Sequence, residues 1–381
     1  MKKFALTMAL VLIVSTLLAA CGSSGGNGEG GSANGGESNN QGTEENGGDE
    51  GAKKDFTVGM VTDTGGVNDK SFNQSAWEGL QKFAKDNNLS VGKGKAVTYL
   101  ESQANSDYLP NLNKLVRQDY DLVFGIGYKM ADAVKTVAQQ NPDANLAIVD
   151  SVVKTDSGDL VKNVASITFK EQQGSFLVGV AAGIMTKTNK VGFVGGVESA
   201  VISRFEYGFR AGVKAVNPDA EIFVQYAASF ADAAKGQQIA STMYSKGADI
   251  IFAAAGATGN GVFTEAKNRS RNGDKVWVIG VDRDQYKQGL PENVTLTSMV
   301  KHVDKAVYKV SKQTMNGKFP GGKHVLLGLK ENAVGPSEHK KNLSDKALKK
   351  MEEYKEKIIN GKINAPGTKE EFKKYMSNLG K

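Results

Sequence analysis

Short runs of β-branched and aromatic residues alternate along the chain with longer stretches whose apolar residues recur at helical spacing. Residues 56–61 read as a strand, followed by the turn 62–66. Ser71 then opens a helix over 72–87, on which Trp77, Leu80 and Phe83 share a face with Ala76 and Ala84. Further strands are predicted at 97–100, 121–125, 146–150 and 164–168, with helices near 107–118 and 129–140. An apolar, glycine-containing helix follows over 171–185. The alternation then restarts. Strands are expected at 190–194, 221–226, 249–254, 276–281 and 295–300, and helices at 202–216, 233–246 and 261–269. From residue 343 the chain is rich in Lys and Glu, with a helix capped by Ser344 and running to about residue 360.

Repeated strand–helix units imply parallel sheets covered by helices on both faces. Two successive sets imply an α/β protein of two doubly wound parallel-sheet lobes. A length of 381 residues suits two domains of ordinary size. The expected boundaries are 53–170 for the first lobe and 188–300 for the second. The helix at 171–186 and the segments from about 301 to 381 are expected to return to, or pack on, the first lobe.

The first 52 residues follow a different pattern. Lys2 and Lys3 precede an almost wholly apolar or small run over 4–20, which has the form of a secretory signal peptide and is short for a membrane span. The run closes in Leu18-Ala19-Ala20-Cys21, similar to a bacterial lipobox, in which the cysteine is lipidated and becomes the first mature residue. Cys21 is the only cysteine in the chain. It is therefore the candidate lipidation site, with acyl chains such as palmitate as the anchor. Residues 22–52 hold 12 glycines and six acids with almost nothing to bury, so 21–52 reads as a disordered tether. The expected location is the extracellular face of a cell membrane, lipid-anchored, in a Gram-positive-like envelope. The net charge is +7; Lys2 and Lys3 add two positive charges and 22–52 six negative ones, which leaves about +11 on residues 53–381. An exported protein so charged is a poor candidate for an intracellular nucleic-acid partner.

In open α/β sheets ligands bind beyond the carboxyl ends of the strands. That rule selects the loops 62–72, 101–107, 125–128 and 150–152 in the first lobe, and 195–205, 226–232, 255–260 and 282–285 in the second. Facing lobes would bring them to one cleft. Asp63, Asp150, Asp282 and Asp284 stand at strand ends as acceptors for hydroxyl groups, while Phe72, Tyr128, Tyr226 and Phe230 offer flat faces to a ring. Stacking on an aromatic contributes about 1–3 kcal/mol per base. The alternative for each residue alone is a helix-capping Asp or a core aromatic. The glycine runs Gly125-Ile126-Gly127 and 256–261 are not full GxGxxG motifs, and no GxxxxGK[ST], HExxH or GxSxG occurs. One cysteine and three scattered histidines give no metal centre and no nucleophile–base pair, so no cofactor, metal or catalytic residue is expected.

The run Val61-Thr62-Asp63-Thr64-Gly65-Gly66-Val67-Asn68-Asp69-Lys70-Ser71-Phe72-Asn73-Gln74 resembles the opening motif of the BMP family of basic membrane lipoproteins. These are ABC transporter substrate-binding proteins of the purine nucleoside receptor type. Ser203-Arg204-Phe205-Glu206-Tyr207-Gly208-Phe209-Arg210-Ala211-Gly212 and Gly280-Val281-Asp282-Arg283-Asp284-Gln285 are similar to the family as well, and the likeness runs from about 56 to 335, together with the lipobox. The resemblance implies a type I periplasmic-binding-protein fold, with a hinge and a ligand cleft between the lobes, and a purine nucleoside as ligand. It implies a membrane permease as partner and a monomeric protein. It implies a base held between aromatics, with Phe72 from the first lobe and Phe230 from the second, Phe205 and Tyr226 being alternates. Asp63, helped by Asn73, is implied at the base edge, and Asp282 and Lys301 at the ribose hydroxyls. Asp150, Tyr128 and Gly256 complete the expected site. Two rivals belong to other classes. One is a binding protein for another solute, such as a sugar or autoinducer. The other is a surface adhesion lipoprotein using its basic body on polyanions.

Overall fold

The computed structural model describes residues 55–379. The predicted signal peptide 1–20, Cys21 and the tether 21–52 lie outside the described residues. The first half runs β1 (Val58–Val61), α1 (Phe72–Asp86), β2 (Val97–Leu100), α2 (Tyr108–Arg117), β3 (Leu122–Ile126), α3 (Ala131–Gln140), β4 (Leu146–Val149) and β5 (Val164–Phe169). After α4 (Glu171–Met185) come β6 (Lys190–Gly195), α5 (Ala200–Val216), β7 (Glu221–Tyr226), α6 (Ala233–Ser245), β8 (Ile250–Ala254), α7 (Gly259–Arg271), β9 (Trp277–Asp282) and β10 (Thr295–Lys301). The chain ends with α8 (Val303–Met315), β11 (His324–Leu327), β12 (Val334–Pro336), α9 (Asp345–Ile359) and α10 (Lys369–Asn378).

These elements build two six-stranded sheets, ordered β11-β5-β4-β3-β1-β2 and β12-β10-β9-β8-β6-β7. Every pairing is parallel except β12 against β10. The central strands are apolar end to end, as strands covered on both faces must be: every residue of β1, β3, β4, β5 and β8 is buried. The chain passes between lobes after β5, after β10 and between β11 and β12. These crossings form the hinge.

The lobe boundaries differ from the sequence expectation in two respects, the place of α4 and that of β12, α9 and α10. Helix α4 does not pack on the first lobe; it lies against α5 and the β10–β12 edge of the second. Glycines explain this. A Cβ on Gly179 would stand 2.2 Å from the Phe209 carbonyl oxygen, and one on Gly212 would stand 2.0 Å from that of Phe176. The two backbones therefore approach along a seam that only glycine permits. The C-terminal part divides. Helix α8 packs on α1 of the first lobe and β11 joins the first sheet, whereas β12 joins the second sheet. Helices α9 and α10 pack on α4 and α5, and Tyr354 donates its hydroxyl to the Ala215 carbonyl at 3.1 Å. Helix α9 buries Ala347, Met351 and Ile358 and exposes much of its Lys/Glu face. Elements α8, β11, β12 and α10 carry no expectation in the sequence reading.

Candidate ligand-binding cleft

Residues at the carboxyl ends of both sheets line one cleft, whose closed interior is narrow at about 50 Å³. Asp63 follows β1, Tyr128 follows β3 and Asp150 follows β4; from the second lobe come Phe205 on the first turns of α5, Phe230 after β7, Gly256 after β8, Asp282 ending β9 and Lys301 ending β10. Phe72, at the start of α1, completes this lining. Asp150 and Asp282 both adopt positive φ, 68° and 63°. A left-handed aspartate at a strand end costs on the order of 1 kcal/mol, and such strain collects at functional sites.

One cation organises the cleft. Lys301 is 2% exposed, and its ammonium donates to Asp150 Oδ2 at 2.7 Å. It stands 3.7 Å from Asp282 Oδ1 and 3.8 Å from Glu171 Oε1. The same ammonium lies 4.6 Å from the ring centre of Phe72 and 5.4 Å from that of Phe205. Burial alone would strip its charge, but Asp150, Asp282 and Glu171 outweigh that and raise its pKa. Glu171 gives its other oxygen to the Arg204 guanidinium, and burial still raises its pKa. Asp282 Oδ2 accepts from the Ser71 hydroxyl at 2.6 Å, a bond between the lobes, and burial raises the Asp282 pKa against the pull of Lys301. Three acceptors around Lys301 are left over: Asp150 Oδ1, Asp282 Oδ1 and Glu171 Oε1 are buried without a hydrogen-bond partner, and the two aspartates line the cleft. Native structures rarely tolerate such groups unless a ligand or water satisfies them.

Asp63 is held in place locally. Its Oδ1 accepts from the Asn73 side-chain amide at 2.7 Å and from the Gly65 N–H at 2.9 Å, while its own N–H donates to Asn73 Oδ1. Burial raises its pKa; these donors and the nearby Lys129 oppose that. Asn73 itself is buried and does not line the cleft, so it acts through Asp63. Asp69 accepts the N–H groups of Ser71, Asn73 and Gln74 and the Asn73 amide, which closes the turn into α1. Its desolvation pushes its pKa up to about 7.

Two expectations for single residues do not match the geometry. Tyr226, the alternate stacking ring, points away from the cleft; its hydroxyl donates to Glu206 Oε2 at 2.6 Å and its ring meets Phe193. Asp284 is exposed and caps the next turn through the Tyr286 N–H. Conversely, Lys129, Asp69, Val201 and Ile202 line the cleft, and Ser71, Glu171 and Arg204 support it, although none was singled out from the sequence. The loop rule alone could have found Asp69, Ser71 and the 199–205 segment; Glu171 sits on a helix start that no motif marks. Among the described residues no group of His, Cys, Asp and Glu could hold a metal ion.

With this geometry in view, the known proteins fall into a pattern. The profile of the Bmp family, described as ABC transporter substrate-binding protein PnrA-like, matches residues 56–369. A "CD4+ T-cell-stimulating antigen" of Listeria innocua is 53% identical over 377 residues, covering 96% of this chain and 99% of the relative. The "ABC transporter nucleoside-binding protein BmpA" of Lactococcus lactis is 47% identical, over 82% of this chain and 90% of its own length. Among solved structures, a solute-binding protein of an ABC transporter system from Aeropyrum pernix superposes with a TM-score of 0.74 at 26% identity, covering 85% of this chain and 97% of that one. Among the described residues no helix is long and apolar enough to cross a membrane.

Proposed function

Because the chain belongs to the Bmp family of ABC transporter substrate-binding proteins, we propose that its cleft captures a purine nucleoside for import. The family consists of substrate-binding proteins, so this is a binding protein and not an enzyme. Its place of work faces the outside of the membrane that holds the permease.

The observation that carries the nucleoside reading is the pair of buried, unpartnered oxygens, Asp150 Oδ1 and Asp282 Oδ1, around the Lys301 ammonium. A ribose presents neighbouring hydroxyls that donate two O–H groups. Each buried acceptor left unsatisfied costs about 1–3 kcal/mol, so a diol is worth recruiting here. The lining rings supply the rest. Phe72 from the first lobe takes one face of the base, and Phe230 or Phe205 takes the other. Asp63, oriented by Asn73, receives a base N–H. Tyr128 meets Phe230 edge-on at 6.4 Å and closes the rim between lobes. Gly256, at φ 58°, lets the backbone turn against Phe230. Closure about the hinge then presents the liganded form to a permease. The chain works as a monomer, tethered through lipid on Cys21.

The Lactococcus relative's name favours a nucleoside over another solute. A free pentose would satisfy the carboxylates equally well but leave the aromatic faces empty. A thermal-shift screen tests the choice, on protein unfolded and refolded to remove retained ligand. Nucleoside at 100 times its dissociation constant adds about 2.7 kcal/mol to folding stability. The expected result is a raised melting temperature with guanosine, inosine or adenosine and little change with ribose, galactose or GMP. A response to a sugar alone overturns the reading.

A further inference from the structure

We propose that Lys129 makes the cleft selective for 6-oxopurine nucleosides, such as inosine and guanosine, over adenosine; this rests on the nucleoside reading above. Lys129 follows β3 directly and lines the cleft. Its ammonium lies 5.2 Å from the ring centre of Phe230, so it reaches across from the first lobe to the second. The cleft has two lysines in its lining, and they differ. Lys301 is spent on three carboxylates. Lys129 has its Phe230 contact and no hydrogen bond or ion pair among the described residues. A half-buried ammonium over an aromatic face, next to a space for a flat ligand, is a donor in waiting.

Its neighbour is an acceptor. The Lys129 charge is close enough to oppose the rise in the Asp63 pKa. Asp63 Oδ1 is already filled by Asn73 and Gly65, whereas Oδ2 accepts no hydrogen bond. The base edge therefore meets one acceptor and one donor-only group. A 6-oxopurine presents the matching pair, N1–H as donor and O6 as acceptor. Adenine presents the reverse: its N1 lone pair would face the carboxylate and its 6-amino hydrogens would face the ammonium. Both contacts are then unfavourable. Discrimination built on unmatched polar groups is far stronger than discrimination by size.

The test is calorimetric titration of refolded protein with inosine and adenosine, for the natural chain and for Lys129→Met and Lys129→Arg. The natural chain is expected to prefer inosine by roughly 10- to 100-fold, the worth of a hydrogen bond to a charged group. Lys129→Met should bring the two affinities within about threefold, by weakening inosine and relieving adenosine. Lys129→Arg keeps a donor-only cation and should keep the preference. Melting curves of the free variants, expected unchanged for a half-exposed residue, separate a ligand effect from misfolding. Equal affinities in the natural chain, or a preference that survives in Lys129→Met, would overturn the proposal while leaving nucleoside binding intact. Failure of both nucleosides to bind the natural chain would remove the nucleoside reading, and this inference with it.

Discussion

The lobes are joined by bonds that touch no ligand, and the Arg283–Glu78 pair shows how much they contribute to capture. Arg283, after β9, donates from Nε to Glu78 Oε2 at 2.9 Å and from Nη2 to Oε1, while Glu78 lies on α1 of the other lobe. Neither residue lines the ligand cleft. Gln285 Nε2 reaches the Lys70 carbonyl at 2.9 Å and Asn260 Nδ2 reaches that of Asp69 at 3.2 Å, so the pair belongs to a seam of closed-state contacts. Opening the hinge breaks the seam. Its free energy therefore enters the measured affinity through the fraction of closed protein. The side chains are 22% and 41% exposed, so solvent screens the pair. A bidentate pair of that exposure is worth about 0.5–1 kcal/mol, which converts to roughly a two- to fivefold weaker Kd. Arg283→Ala and Glu78→Ala should each show this loss, almost entirely as faster dissociation. Glu78 Oε1 also accepts from the Gln74 side chain at 3.1 Å, so single substitutions are compared in a double-mutant cycle. The double variant should be little worse than either single one. At 0.5 M salt the natural chain should approach the variants. Additive losses in the cycle, or single variants within experimental error of the natural chain, would refute the idea that this pair holds the closed state.

Lys301→Met leaves Asp150, Asp282 and Glu171 facing one another without their shared ammonium. Loss of one partner from a buried ion pair costs about 3–5 kcal/mol, to be read in chemical denaturation alongside loss of ligand binding. Substituting 2′-deoxyguanosine for guanosine strands one buried carboxylate oxygen, so competition titration should find it about 5- to 150-fold weaker. The unliganded protein should lose stability as pH rises from 4 to 7, because folded Asp69, with its pKa near 7, keeps a proton that the unfolded chain has released. The span is roughly 4 kcal/mol at most, and melting curves of Asp69→Asn should be flatter over that range than those of the natural chain.

Most of the strand–helix alternation was readable because each strand is buried on both faces and each helix on one, which leaves distinct periods. The 171–185 helix was recognised as a helix but assigned to the wrong neighbour. Its apolar character says that it is buried, and only the matched glycines of α4 and α5 say against what. The edge strands β11 and β12 were missed because they are short, four and three residues, and β11 is half exposed. Helix α8 buries Val303, Ala306, Val307 and Val310 at helical spacing, a period legible in the sequence. Of the site, the strand-end aspartates were legible from topology: a parallel sheet sends every strand terminus to the same side. Phe230 is the preferred second-lobe ring in the sequence, with Tyr226 at the end of β7 as an alternate. The structure separates them because Tyr226 still belongs to the alternating register of the strand, and its hydroxyl finds the buried Glu206, whereas Phe230 lies beyond the strand and is free to turn into the cleft. Glu171 was out of reach because its role depends on a helix start meeting Arg204 across 33 positions of sequence.

The electrostatics of the cleft run against those of the whole chain, and this bears on which solutes it admits. Residues 53–381 carry about +11, yet the lining holds four aspartates, Asp63, Asp69, Asp150 and Asp282, against two lysines. The excess of basic residues therefore lies outside the cleft lining. Inside, the one fully buried cation is already surrounded, and Arg204 is occupied by Glu171. A nucleotide would bring a phosphate with about two negative charges into a space lined by four aspartates, where Lys129 is the one cation outside the carboxylate cluster and no guanidinium lines the cleft. A neutral solute rich in donors meets the opposite situation: each hydroxyl satisfies an acceptor that burial has left costly. The basic body can therefore attract anions to the protein surface without admitting them. A preference for neutral, hydroxylated ligands would follow from the four aspartates of the lining, not from the net charge.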